Sequence, residues 1–182
     1  MLNKIIYKNI VGKYRITIKY DDGRVIYIPS EKGLKNNLIV NDAGNLMAGL
    51  FIGDTNYVTN YGNVYLALGN GNPAWDSEPD EGASHQVPTV TQLYAETYRA
   101  LPTTKIYIDG FGGSPTTISN YVRLIYNFDN TVAVDEYLRE FGLFGAADAT
   151  ANSGMLFDYI IHPRFKKTSN INEYIVTFEI KF

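Results

Sequence analysis

Cysteine is absent from the 182-residue sequence, which excludes disulfide frameworks and thiolate metal sites and leaves the redox compartment open. Histidine occurs only as His85 and His162, so Ser-His or Thr-His nucleophilic chemistry has almost nothing to draw on. No serine stands in a G-x-S-x-G elbow. The Gly-rich stretches 69-GNGNPAW-75 and 110-GFGGSP-115 lack the Lys-Ser/Thr of a phosphate loop and run into prolines, so both read as turns. No apolar run approaches the ~18 residues of a membrane span. The N-terminus, MLNKIIYKNIVGKYRI, has lysines throughout and no apolar core before a small-residue cleavage site. It does not read as a secretory signal, and a soluble, unexported chain is expected.

Lys and Arg are missing altogether from residues 36–98, and this gap makes the net charge of −3 conceal an asymmetry. Residues 1–35 carry eight basic residues against three acids, a balance of +5, whereas residues 36–98 carry seven acids, a balance of −7. Drift in surface composition is the plain explanation. The sharper one is a molecule with complementary ends, suited to head-to-tail or ring assembly. On that reading Lys13, Arg15 and Lys19 face Asp76, Glu78, Asp80 and Glu81 across an interface. No nucleic acid is expected as a partner, because the chain is acidic overall and its basic segment reads as strands without a nucleic-acid motif.

What is present is mainly period-2 alternation. In 14-YRITIKY-20 the apolar residues share one face; Asp21-Asp22-Gly23 then turns the chain into 24-RVIYI-28, a hairpin signal with Gly placed for positive φ. The segment 174-YIVTFEIKF-182 alternates likewise. Further strands are expected at 4–10, 63–68, 104–109, 118–128, 135–141 and 155–161, all rich in Ile, Val, Tyr, Phe and Thr. One stretch, 41-NDAGNLMAGLFIGD-54, has helical spacing, with Asn41 or Asp42 to cap its start and Gly53 to end it. Gly44 and Gly49 weaken it by about 1 kcal/mol each relative to Ala, so packing must hold it. The expected fold is mainly β: a single antiparallel β-sandwich domain over 1–182, with Greek-key or jelly-roll-like connections and one short helix near residues 42–51.

The polar segment 69–88 is too long for an ordinary connection. Its acids Asp76, Glu78, Asp80 and Glu81 offer oxygen ligands, but Pro79 interrupts them and the spacing fits no calcium loop, so a solvated acidic loop is expected and no metal or cofactor. Trp75 is a candidate stacking platform for a sugar or a protein. Glu140, between Leu138, Phe141, Leu143 and Phe144, is the one acid placed like a catalytic carboxylate in an apolar pocket. A glycosidase needs a second carboxylate at a defined separation, and none is singled out. Glu140 therefore reads as structural, fixing a turn or an interface; if buried it needs donors or a cation, for which Arg123 and Arg139 are candidates. The 15 tyrosines, with their broad contact area and polar tip, suit protein–protein contact first and sugar platforms second.

Three blocks carry a resemblance. The first is 41-NDAGNLMAGLFIG-53 followed by 64-VYLALGNGNPAW-75, the second is 93-LYAETYRALP-102, and the third joins 139-REFGLFG-145 to 153-SGMLFDYIIHP-163, Lys166-Lys167-Thr168 and the final strand to Phe182. Together they span about residues 40–182 and resemble structural proteins of tailed bacteriophages and prophages; the basic hairpin region 1–35 lies outside. The resemblance implies a non-enzymatic virion protein of the tail, baseplate or fibre-attachment region, or of a phage-tail-like particle, made in the host cytoplasm. It carries over no catalytic residue. The implied partners are copies of itself and neighbouring virion proteins, with no membrane, and a cyclic homo-oligomer or particle-bound oligomer is expected. The alternatives are a carbohydrate-binding, receptor-contacting fibre module and a capsid or neck decoration protein.

Overall fold

The computed structural model of the protein describes residues 10–29, 34–54, 62–109, 112–115 and 118–182. The strand expected over 4–10 lies, but for Ile10, outside the described residues. The elements in chain order are β1 (Val11–Tyr20), β2 (Val25–Ile28), β3 (Lys35–Asn36), β4 (Leu38–Ile39), helix α1 (Asp42–Ile52), β5 (Tyr65–Gly69), β6 (Glu96–Ala100), β7 (Thr104–Tyr107), β8 (Tyr121–Asp129), β9 (Tyr137–Gly145), β10 (Met155–Lys166) and β11 (Ile171–Lys181). Short 3₁₀ turns at Pro73–Ser77 and Ala83–His85 interrupt the polar excursion between β5 and β6. Strand accounts for 46% and helix for 11% of the chain, so the fold is mainly β, with two antiparallel sheets and one helix, the make-up of a β-sandwich.

These elements gather into two compact units, each assembled from separated stretches: the described parts of Met1–Asn37, Pro102–Val134 and Thr168–Phe182 form one, and those of Leu38–Leu101 and Asp135–Lys167 the other. The chain passes between them four times. Neither unit is contiguous, which is why no linker in the sequence marks a boundary.

The first unit is a sheet of order β2-β1-β11-β8-β7, with β3 also on β1. The β1–β2 hairpin forms as the alternation predicts: Gly23 has φ 84 and the Asp22 carboxyl accepts from the Arg24 N–H at 2.8 Å. Neighbours such as β1 and β11 are far apart in sequence, so the sheet is closed by crossovers and is no simple meander. Tyr14, Ile16 and Ile18 of β1, Tyr126 and Phe128 of β8, and Tyr174, Val176 and Phe178 of β11 are buried, while Lys13, Arg15 and Lys19 alternate with them. Tyr126 meets Phe178 edge-on, ring centroids 6.2 Å apart. Arg123, a candidate partner for Glu140, instead pairs with Glu179 at 2.6 Å within this sheet.

The second unit is a sheet of order β4-β10-β9-β5-β6. The runs REFGLFG and SGMLFDYIIHP become its central strands β9 and β10, paired antiparallel with Leu156 opposite Phe144 and Ile161 opposite Glu140. Register breaks after Ile161, and β10 resumes through Phe165 and Lys166, so the strand extends past Pro163, where a strand end was expected. Nearly every residue of β9 is buried, which explains its continuous apolar character in place of alternation. Helix α1 ends at Gly53 in the left-handed conformation, as read, but its start carries no side-chain cap from Asn41. Packing holds it: Leu46 lies so close to Gly145 of β9 that a Cβ there would stand 2.2 Å from a Leu46 methyl.

Phe178 is fully buried beside Tyr126 on the strand that both long neighbours share. Phe178→Ala is expected to cost about 3–5 kcal/mol, seen as a lower urea midpoint with an unchanged m-value.

Candidate binding site

The polar excursion 70–95 is a built structure fastened at its root. The Asn70 N–H donates to the Ala95 carbonyl at 3.0 Å and closes its base. There the Glu140 carboxyl accepts from the Tyr94 N–H at 3.1 Å, the Ala95 N–H at 2.8 Å and the Tyr159 hydroxyl at 2.7 Å. Glu140 has no exposed surface. It is thus structural, as read, but not an interface residue, and its donors are backbone amides and a phenol; neither expected arginine reaches it.

A second latch explains 93-LYAETYRALP-102. Arg99 holds Glu96 through two hydrogen bonds at 2.6 and 2.9 Å, and also donates to the Asp148 carbonyl and to Ser153. Glu96 in turn accepts from the Asn152 N–H at 2.7 Å. The Arg99 guanidinium lies over Phe144, 4.9 Å from the ring centre. The Glu-x-x-Arg step therefore ties the turn between β9 and β10 to β6.

Trp75 is corrected outright. It is 4% exposed and packs with Val40, Leu93, Phe144 and Leu156, so it offers no stacking platform. Its ring lies between Gly71 and Gly82, both at positive φ; a Cβ on either would come within 2.7 Å of it. His85 stacks on the ring at 5.4 Å and meets Glu78 at 3.1 Å, and Asp80 accepts from the N–H groups of Gly82 and Ser84. Of the candidate acids, Glu78 and Asp80 thus hold the excursion's own turns, and Glu81 is exposed at a left-handed position. Among the described residues no group of three or more His, Asp and Glu side chains is placed to hold a metal ion.

Asp76 does something different. Trp75 fixes the 3₁₀ turn from behind, and Asp76 reaches Arg139 of β9 and Arg164 of β10, each at 2.5 Å. The Arg139 side chain is 3% exposed, those of Asp76 and Arg164 are 36% and 43%. Beside them Glu136 accepts from the Asn70 amide at 2.8 Å, and Arg164 covers the Tyr137 ring at 3.8 Å. Together these side chains line a cleft of about 180 Å³ within the second unit. No protein-family model matches the chain, and no curated protein does either. Sequence reasoning selected Asp76 for its charge but missed Glu136, Arg164 and Asn70; their only signal was a polar cluster flanking an otherwise apolar strand pair.

His162 is buried, and its Nδ1 lies 2.9 Å from the Pro163 carbonyl, which can only accept. Nδ1 therefore carries the proton of the neutral ring. Burial, helped by the charge of Arg139 and opposed by that hydrogen bond, pushes His162 down to about 4 from an ordinary 6.5.

Two outcomes follow from these contacts. Glu140→Gln puts an N–H₂ group against N–H donors and is expected to cost about 2 kcal/mol or more, with faster amide exchange at Tyr94 and Ala95. For His162, both states are neutral above pH 6.5, and between 6.5 and 4 only the unfolded chain takes up the proton. Stability should fall across that window by about 3 kcal/mol relative to His162→Gln and level off below it. Burial also raises Asp158, which favours the fold in acid, but both proteins share that effect and the difference in their urea stabilities removes it.

Proposed function

We propose that the protein is a non-enzymatic structural subunit of a tailed bacteriophage or phage-tail-like particle, acting through repeated protein–protein contacts in the tail, baseplate or fibre-attachment region. The observation that carries the reading is the fate of the resemblance blocks. Their most chemistry-like residues, Glu140 and the Glu96–Arg99 pair, are spent on fastening backbone, with Glu140 closed off from solvent. A catalytic acid must reach substrate within hydrogen-bond distance, and Glu140 reaches only Tyr94, Ala95 and Tyr159.

Surface composition supports the same reading. Tyr27, Tyr94, Tyr98, Tyr107 and Tyr137 each leave more than a third of their surface exposed, the residue type that protein interfaces favour. Charge would orient the contacts. Lys13, Arg15 and Lys19 belong to one unit, where Lys19 already pairs with Glu173 at 2.5 Å and Lys13 stands opposite Glu179, and the acidic excursion belongs to the other. Exposed ion pairs contribute roughly 0–1 kcal/mol each, so apolar and Tyr contacts must supply most of the holding energy.

Purified particles from a producing strain, probed by mass spectrometry and electron microscopy, test the assignment. The protein should co-purify at fixed stoichiometry; its absence from particles overturns the reading. Changing Lys13, Arg15 and Lys19 together to Gln, which removes the charge without setting new carboxylates against Glu173 and Glu179 of β11, should leave the melting temperature within a few degrees and impair incorporation or self-association, measured by light scattering across a salt series. Normal assembly of that variant would remove the charge-guided contact.

A further inference from the structure

We propose that the cleft around Asp76 binds one pyranose unit of an uncharged glycan. The inference stands on the cleft alone and does not require the particle role.

The first argument is charge matching. Asp76 and Glu136 stand against Arg139 and Arg164, so an anion entering the cleft meets two carboxyl groups and a cation meets two guanidinium groups. Asp76 pairs with both arginines at 2.5 Å and Glu136 supplies the second negative charge, so the four groups balance and a charged ligand has little to gain. Hydrogen-bonding capacity remains. A guanidinium carries five N–H donors and an ionised carboxylate about four acceptor positions, and the contacts here use only part of either set. A ligand that profits must donate and accept from neighbouring atoms while carrying no charge. Vicinal ring hydroxyls do this, each donating one hydrogen bond and accepting two.

The second argument is rigidity. Arg139 is buried, Asp76 rides on a turn pinned by Trp75, and Glu136 is tied to Asn70 at the base of the excursion. Groups already held in place lose little freedom on binding, which is the main cost for a small polar ligand. The third is size and access. At about 180 Å³ the cleft is smaller than the ~300–1,000 Å³ of sites that enclose a drug-sized ligand. One ring fits, and the exposed Arg164 and Tyr137 at the rim leave the rest of a polysaccharide outside.

Saturation-transfer NMR on the intact chain tests this with the methyl glycosides of glucose, galactose, N-acetylglucosamine and rhamnose at millimolar concentration. Acetate and glycine serve as charged probes. At least one glycoside should receive saturation. Arg164→Ala and Glu136→Gln, the latter keeping an acceptor for Asn70, should each weaken its binding roughly tenfold. Both variants should melt as the parent does; a variant that does not is replaced by Arg164→Lys, which keeps the charge and loses the planar fork, and should also bind more weakly. The proposal is overturned if no glycoside receives saturation, if transfer is undiminished in folded variants, or if acetate or glycine is taken up in preference to all four sugars.

Discussion

A carboxyl group sealed from water must be given donors by the chain itself, and Glu140 receives three. Two are backbone amides from residues about 45 positions earlier and one is a hydroxyl from the paired strand. Leaving such a group without partners costs several kcal/mol, so the site cannot form unless the excursion returns to this point. The excursion's return places Trp75 in the core, Trp75 fixes the turn that bears Asp76, and Asp76 sets Arg139 and Arg164. The cleft therefore inherits its geometry from a residue that does not line it.

This dependence explains what the sequence disclosed. Alternation located β1 and β11 because their sheet buries one face, and a period of two then maps directly onto burial, whereas the mostly exposed β2 was found from the turn that precedes it. The helix was legible from spacing and from Gly53, although its start is held by packing where a cap was expected. Strand β9 was legible as a strand and opaque as to face, since both of its sides are covered. The partners of Glu140 could not be read, because backbone amides are the same at every position and only the path of the chain selects Tyr94 and Ala95.

Trp75 failed as a surface residue for a related reason. Its neighbours Asn72, Pro73, Asp76 and Ser77 are polar or turn-forming, which places the segment at the surface but says nothing of a single ring turned inward. The decisive signals were Gly71 and Gly82, whose missing side chains make room for it. A glycine pair flanking a lone tryptophan across ten residues is a packing signature, visible once the ring's position is known. The acids around it, which suggest a solvated loop or a cation site, are taken up largely by turn hydrogen bonds and by His85.

Strand β11 lies between β1 and β8, yet it leaves the ribosome after both. Until residues 171–181 emerge, two long strands wait with unpaired backbone edges and exposed apolar faces, the condition in which chains pair with the wrong neighbour. Completion of that sheet therefore waits on the latest of its strands and is dominated by distant contacts, which makes its folding slow relative to its size. Loss of residues 171–181 would delete the sheet's middle and leave two orphan hairpins, whereas loss of an edge strand would only narrow it.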